Sequence, residues 1–528
     1  MTFSGVEGAA RIEGEARNTG DPSARPQSRQ SGSYKPKAKS SAVQRKSEGT
    51  VVPRRVATKN AIGGKGPWGG RVDRSGTRKG MVDERRPNSP DGRSPGDNVR
   101  RLQDRLRGVA KQQPGRKFHA LYDRISRSDV LEEAWNLVRR NKGSAGVDLE
   151  TIVEIEQRGV KRFLEELATV LRSNEYRPQA VLRRYIPKAD GKQRPLGIPT
   201  VRDRVVQAAT KLMLEPIFEV DFRDSSYGFR PGRSPTMALE ALRREGARNG
   251  NFVLDADIKD FFGSLDHELL MSRVARRVSD RRVLRLVRQW LNAGVMEGGR
   301  ERTMLSGTPQ GGVISPLLSN IYLSFLDNVW HKRCRQLGVL VRYADDFVVM
   351  CKTMKDCEEA ERRVKKILAE LKLELHPEKT RRVDLRQGKQ GFDFLGCHLH
   401  KRMSGPIWMK ERRCVYFLQR WPSTKSVKRV QQRVKELTPK SRCHEDPRSI
   451  IAALNPVLRG WGQYFRTGNA SERFSDVDRY VAWRLKRMRI ARKKRHLRAG
   501  EAQQWSRHYF YALGLHRLHG TIRYPGAA

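Results

Sequence analysis

Residues 339–350, VLVRYADDFVVM, join two apolar runs through a short acidic turn. Apolar, β-branched and aromatic residues on either side of so short an interruption read as a β-hairpin. Its tip carries Asp345 and Asp346. Two adjacent carboxylates between apolar strands are costly unless a cation neutralises them, because like charges brought together raise a pKa and strain the site. On the pair alone an ordinary Asp–Asp turn is the better reading, since Asp favours turns. Residues 252–262, FVLDADIKDFF, supply a second acidic segment. It reads as a half-buried strand ending in aromatics, with Asp255 and Asp257 on one face and Asp260 on the other.

Outward from these segments the pattern is that of a packed mixed domain. Phe163, Leu164, Leu167, Val170 and Leu171 recur at helical spacing. Val181 to Pro187 alternates toward a strand, followed by a turn over Ala189-Asp190-Gly191-Lys192. Ala360, Val364, Ile367, Leu368 and Leu371 mark a helix after the hairpin. Beyond about residue 420 strand signals stop. Val427, Val430, Val434 and Leu437 mark one basic amphipathic helix, and 477–498 marks another. These patterns divide the chain into an α/β (α+β) domain over 116–415 and an all-helical basic domain over 420–528. Residues 1–115 are rich in Gly, Ser, Pro, Arg and Lys and are expected to be a disordered basic arm, too poor in apolar surface to offset chain entropy. Met81 lies within it as an alternative start, and Glu7, Glu13, Glu15 and Asp21 disfavour a transit peptide.

The charge balance is lopsided: 107 Lys and Arg against 58 Asp and Glu give a formal net charge of +49 over 528 residues. A polyanionic partner follows, most commonly nucleic acid, with strongly salt-dependent binding. A basic ribosomal or chromatin-type scaffold fits charge alone equally well. The six cysteines form no CxxC pair, so neither a disulfide framework nor a Cys-pair zinc finger is supported. Cys397, His398 and His400, with Cys414 following, come nearest to a metal cluster, but on a strand Cys397 and His398 point to opposite faces. No apolar run reaches membrane-spanning length, so the expectation is a soluble protein without a membrane partner.

Chemistry gives the acidic segments a common purpose. Nucleotide polymerisation displaces pyrophosphate, and two divalent ions about 3.5–4 Å apart stabilise the attacking and leaving oxygens. Mg2+ prefers one or two carboxylates plus substrate phosphates over an all-protein cage. Tyr343-Ala344-Asp345-Asp346 resembles the signature hairpin of reverse transcriptases. Other blocks follow in that family's order over about 300 residues. Lys192 to Pro199 (KQRPLGIP) resembles its early strand block, and Asp257 to Phe262 (DIKDFF) its first catalytic strand. Gly307 to Asn320 (GTPQGGVISPLLSN) resembles the loop and helix behind the nascent pair, and Phe394-Leu395-Gly396 its primer-grip turn. The resemblance implies a right-hand polymerase fold with fingers and palm, followed by an all-helical thumb. It assigns Asp257, Asp345 and Asp346 to two Mg2+ ions, with Mn2+ as a substitute. Lys188 and Arg194 match residues that hold the incoming triphosphate, and Gln310 one beside the templating pair. Phe262 matches a steric gate against ribose, its alternative being a core aromatic, and Lys379 a lysine proposed to protonate pyrophosphate.

Within that superfamily, Tyr227 to Ser234 (YGFRPGRS) resembles a block of group II intron and related bacterial enzymes. Leu454 to Phe465 (LNPVLRGWGQYF) resembles the maturase-specific region, whose task is to grip intron RNA and assist splicing. Interleaved basic and aromatic residues suit backbone neutralisation and base stacking. Arg459, Trp461, Tyr464 and Arg466 are the candidates, and an ordinary basic bundle is the alternative. The implied partners are intron RNA, an RNA template with a DNA primer, dNTPs and a DNA target, with a homodimer allowed. A bacterial cytoplasm is the implied setting, ahead of an organelle. A retron, diversity-generating or CRISPR-associated reverse transcriptase, and a splicing maturase with little polymerase activity, stay open as alternatives. Among His496, His508, His516 and His519, only His516 and His519 have the spacing to share one helical face. No paired cysteines of an HNH endonuclease follow, so duplex DNA cleavage is not expected.

Overall fold

The computed structural model describes residues 94–187, 191, 193–297, 300–302, 307, 311–493, 495–498 and 500–524. Its first element is helix α1 (Pro95–Gln112), capped by the Ser94 hydroxyl on the Asp97 amide and carrying Val99, Leu102, Leu106 and Ala110 buried. This corrects the expectation of a disordered arm as far as residue 115. Four apolar residues at helical spacing make a stripe, which the surrounding arginines and glycines obscured. Helix α1 packs on α2 (Ser128–Arg140) and on α4 (Val201–Phe218). Between them lies α3 (Val160–Arg172), which buries Phe163, Leu167 and Leu171 as their spacing predicts.

Strands β1 (Val181–Pro187) and β2 (Gln193–Ile198) pair antiparallel, with Pro187 opposite Gln193. Of the expected turn, Ala189, Asp190 and Lys192 lie outside the described residues. Helix α5 (Pro235–Ala247) leads to β3 (Phe252–Ala256). Two short strands, β4 (Val295–Glu297) and β5 (Arg300–Arg302), complete the sheet of β1 and β2. After α6 (Ser315–Val329) come β6 (Val339–Tyr343), β7 (Asp346–Cys351), α7 (Met354–Glu370) and β8 (Arg381–Asp384).

The strand order β6–β7–β3–β8 places β3 and β7 in the middle of a four-stranded antiparallel sheet. Both faces are covered, and the period-2 alternation of strands sorts their residues between two cores. Leu340, Phe347, Val349 and Leu254 pack into one core with residues of α1 to α4, α6 and α7. Val341, Val348, Met350 and Val253 pack into the other with residues of the helices beyond residue 420. The strand expected over 252–262 is thus buried on both sides and ends at Ala256. Its neighbours offer no further ladder, and Asp260, at a φ of 38°, turns the chain away.

A third sheet, of β9 (Gly391–Phe394), β10 (Cys397–Met403) and β11 (Tyr416–Pro422), extends slightly past residue 420. Helices α8 (Thr424–Leu437), α9 (Pro447–Phe465) and α10 (Ser471–Arg492) follow. The second basic helix therefore starts earlier and ends earlier than 477–498. No helix among the described residues is long and apolar enough to cross a membrane.

Candidate active site

The hairpin turn is Ala344-Asp345, since Tyr343 and Asp346 close the ladder between β6 and β7. Ala344 sits at a φ of 60° while Asp345 does not enter the left-handed region, the pattern of a II′ turn that usually takes glycine there. Ala344 holds this conformation because of what lies beneath it. Arg342 is fully buried and donates from Nη1 to the Ala344 carbonyl at 2.8 Å. Its Nε and Nη2 bind the two Asp327 carboxylate oxygens of α6 at 2.9 and 2.5 Å. Nη1 also reaches Asn320 Oδ1 at 3.2 Å, and Nη2 donates to Ser226 Oγ at 2.8 Å. Sequence reasoning passed over this network, although a lone arginine in an apolar strand is itself a signal of a buried partner.

A second segment grips the hairpin from its open edge. Ser225 O accepts from the Arg342 amide, and the Tyr227 amide donates to Arg342 O, both at 2.8 Å. Gly228 then lies so close that a Cβ on it would stand 2.4 Å from the Ala344 nitrogen. No other residue fits there, which gives the glycine of the Tyr227–Ser234 block a steric reason.

Asp257 follows directly on β3. The register pairs Ala256 with Phe347, so its extension sets Asp257 across from Asp346. The segment 374–376 runs alongside: the His376 amide donates to Asp257 O at 2.8 Å, and Ile258 bridges Leu375. That pairing delivers Lys379, whose Nζ sits 2.5 Å from Asp257 Oδ2. Asp255, two residues back, pairs instead with Arg381 at 3.0 Å. The three carboxylates Asp257, Asp345 and Asp346 therefore come together from one turn and two adjacent strands.

Their electrostatics register the crowding. Asp346 keeps part of its surface open to solvent, yet the loss of water around its carboxyl, with the charges of Asp345 and Asp257, pushes it up to about 7. Burial raises Asp345 as well, helped by Asp257 and opposed by the positive charges of Arg194 and Arg342. Arg194, on β2, thus acts electrostatically on the hairpin tip across the fold. Among the described residues no three His, Cys, Asp or Glu already stand in ligand geometry. Two observations fit a cation here: an ammonium already caps Asp257, and Asp346 is pushed to about 7 beside two other carboxylates.

Phe262 is half-buried on the turn after β3, its ring edge-on to Phe261 at 5.2 Å. Lys188 and Gln310 lie outside the described residues. In the helical region, Trp461 packs on Phe465 and Phe474 at 5.0 and 5.4 Å, which commits its ring to the second core. The Tyr464 hydroxyl donates to the Leu395 carbonyl at 2.9 Å, tying α9 to the Phe394–Gly396 turn. Arg459 is exposed, and Arg466 is half-buried with its carbonyl accepting from Arg523. His516 and His519 follow the last short helix (Arg507–Ala512), so no helical face joins them.

This chain has a polymerase fold of the reverse transcriptase class: the family model for reverse transcriptase (RNA-dependent DNA polymerase) matches residues 186–399, which hold all three carboxylates. A second family model, the group II intron maturase-specific domain, matches residues 427–510. Protein YkfC of Escherichia coli is 35% identical over 344 residues, covering 58% of this chain and 89% of that protein. The group II intron-encoded protein LtrA of Lactococcus lactis is 31% identical over 357 residues, which are 55% of this chain and 58% of LtrA. A Schizosaccharomyces pombe protein in the cob intron is 33% identical over 207 residues, 39% of this chain and 25% of that protein. The chain belongs to the group II intron-encoded reverse transcriptases and maturases.

Proposed function

We propose that this protein copies RNA into DNA at Asp257, Asp345 and Asp346, and that it binds its own intron RNA to assist splicing and mobility. The observation that carries the reading is the convergence of three carboxylates at the end of a sheet, with Asp346 pushed up to about 7 beside the other two. Two Mg2+ ions, or Mn2+, held by these carboxylates would supply Lewis-acid stabilisation of the attacking and leaving oxygens. The sheet of β3 and β6 to β8 serves as the palm, the β1–β2 hairpin belongs to the fingers, and the helices after residue 420 form a thumb continuous with the maturase region. Arg194, with Lys188, binds the triphosphate of the incoming dNTP. Its electrostatic effect on Asp345 supports that role. Lys379, paired with Asp257, gives a proton to the departing pyrophosphate. Phe262 excludes ribonucleotides, and Gln310 serves the templating pair. Exposed arginines such as Arg459 neutralise the RNA backbone, whereas Trp461 acts within the core. The RNA template, DNA primer, DNA target and a bacterial cytoplasmic setting follow from the same reading.

Replacing Asp345 with Asn removes one carboxylate without changing the turn. Primer extension on an RNA template with Mg2+ should fall by at least about 100-fold, a loss of roughly 3 kcal/mol in transition-state stabilisation, while intron RNA binding persists. Extension at the wild-type rate would remove Asp345 from the site.

A further inference from the structure

Phe229 is an aromatic held in a conformation that its own side chain opposes. Its φ is 56°, in the left-handed region, where a bulky residue is a genuine outlier. The residue is 51% exposed, so core packing does not explain the placement. Strain of this kind survives only where the surroundings over-determine it, and it gathers at functional sites.

Both neighbours are clamped. On one side, Gly228 lies flat against Ala344, and the Asn320 side chain donates to its carbonyl at 2.8 Å. On the other, Arg230 is buried. Its Nη1 donates to the carbonyls of Arg223 and Ser226 at 2.6 and 2.7 Å, and its Nη2 lies 2.7 Å from Glu219 Oε1. Between these clamps the chain presents Phe229 beside Tyr343, ring centroids 6.4 Å apart and planes tilted by 46°. Tyr343 is two residues from Asp345. Phe229 therefore presents an exposed ring at the edge of the carboxylate cluster, backed by Tyr343, which is half-buried against the second core.

We propose that Phe229, with Tyr343, is a platform for the terminal nucleotide of the primer strand. This inference rests on the polymerase reading above. The 3′-hydroxyl that attacks an incoming nucleotide must lie at the carboxylates, so the sugar and base that carry it are the groups brought within reach of the two rings. Aromatic faces hold nucleotides by stacking with little regard to sequence, as a polymerase that copies any template requires.

The decisive variant is Phe229→Gly, because glycine adopts a φ of 56° without strain. Thermal stability should be unchanged or higher, while affinity for a primer–template duplex drops about 10-fold. The KM for primer–template should rise with kcat and the KM for dNTP near wild type. Phe229→Tyr should restore binding. Wild-type affinity in the glycine variant, a joint fall of affinity and melting temperature, or a change confined to the KM for dNTP would each overturn the proposal. If the wild-type protein binds the duplex but extends no primer, the polymerase reading fails instead, and the binding comparison still decides the role of Phe229.

Discussion

The hairpin tip at 343–346 and the helix block at 454–465 are both short, motif-like segments with polar and aromatic residues interleaved, yet they use those residues in opposite ways. In the hairpin, Asp345 occupies the turn and Asp346 the first rung, where neither can retreat into the cores that take Phe347 and Val348. In α9, Leu454, Leu458, Trp461 and Phe465 fall three and four residues apart and line one stripe against the second core. The tryptophan goes inward with them, and Tyr464, one position off the stripe, reaches the Leu395 carbonyl instead of solvent-borne ligand. A motif at a turn keeps its charged side chains out of the cores. One on a helix exposes only what the period leaves out.

That contrast can be broken most forcefully at Arg342. Replacing it with Met leaves the fully buried Asp327 carboxylate without its partner, and stability should fall by about 3–5 kcal/mol. Adding Asp327→Asn to the same chain should recover part of the loss, because the two sites are coupled. Thermal or denaturant unfolding measures both. A loss below about 1 kcal/mol would mean that the hairpin tip holds its shape without the buried pair.

Trp461→Ala tests the other side of the comparison. If the ring belongs to the core, stability should drop by about 3 kcal/mol, with intron RNA affinity following only the folded fraction. An RNA affinity that collapses while the melting temperature stays put would return Trp461 to the interface. Tyr464→Phe is the mildest change: it deletes one hydrogen bond to Leu395 and should cost about 1 kcal/mol in denaturant unfolding. No measurable cost would show that the contact with the Phe394–Gly396 turn is incidental.

The same contrast explains what could be read in advance. The hairpin, the helix after it and the β1 strand were legible because strand alternation and helical spacing are local properties of the chain, whereas Asp257, Asp345 and Asp346 were joined into one set only by the resemblance of their segments to reverse transcriptases. Helix α1 was missed because four apolar residues among arginines and glycines carry little local weight, and only packing on α2 and α4 makes them a core. The length of β3 was misjudged because a strand ends where its partners end, which β7 and β8 decide. Arg342 was invisible as a support because its partners Ser226, Asn320 and Asp327 lie 15 to 116 residues away.

The four-stranded sheet that carries the carboxylates has no face of its own: one side completes the first core, the other completes the second. Folding cooperativity therefore runs through the strands that carry the carboxylates. If the helices after residue 420 melted, Val253, Val341, Val348 and Met350 would be stripped to water, and the strands that present Asp257 and Asp346 would lose half of what holds them flat. The sheet's second face is completed by residues from beyond residue 420, so loss of that packing would reach the strands that carry the carboxylates.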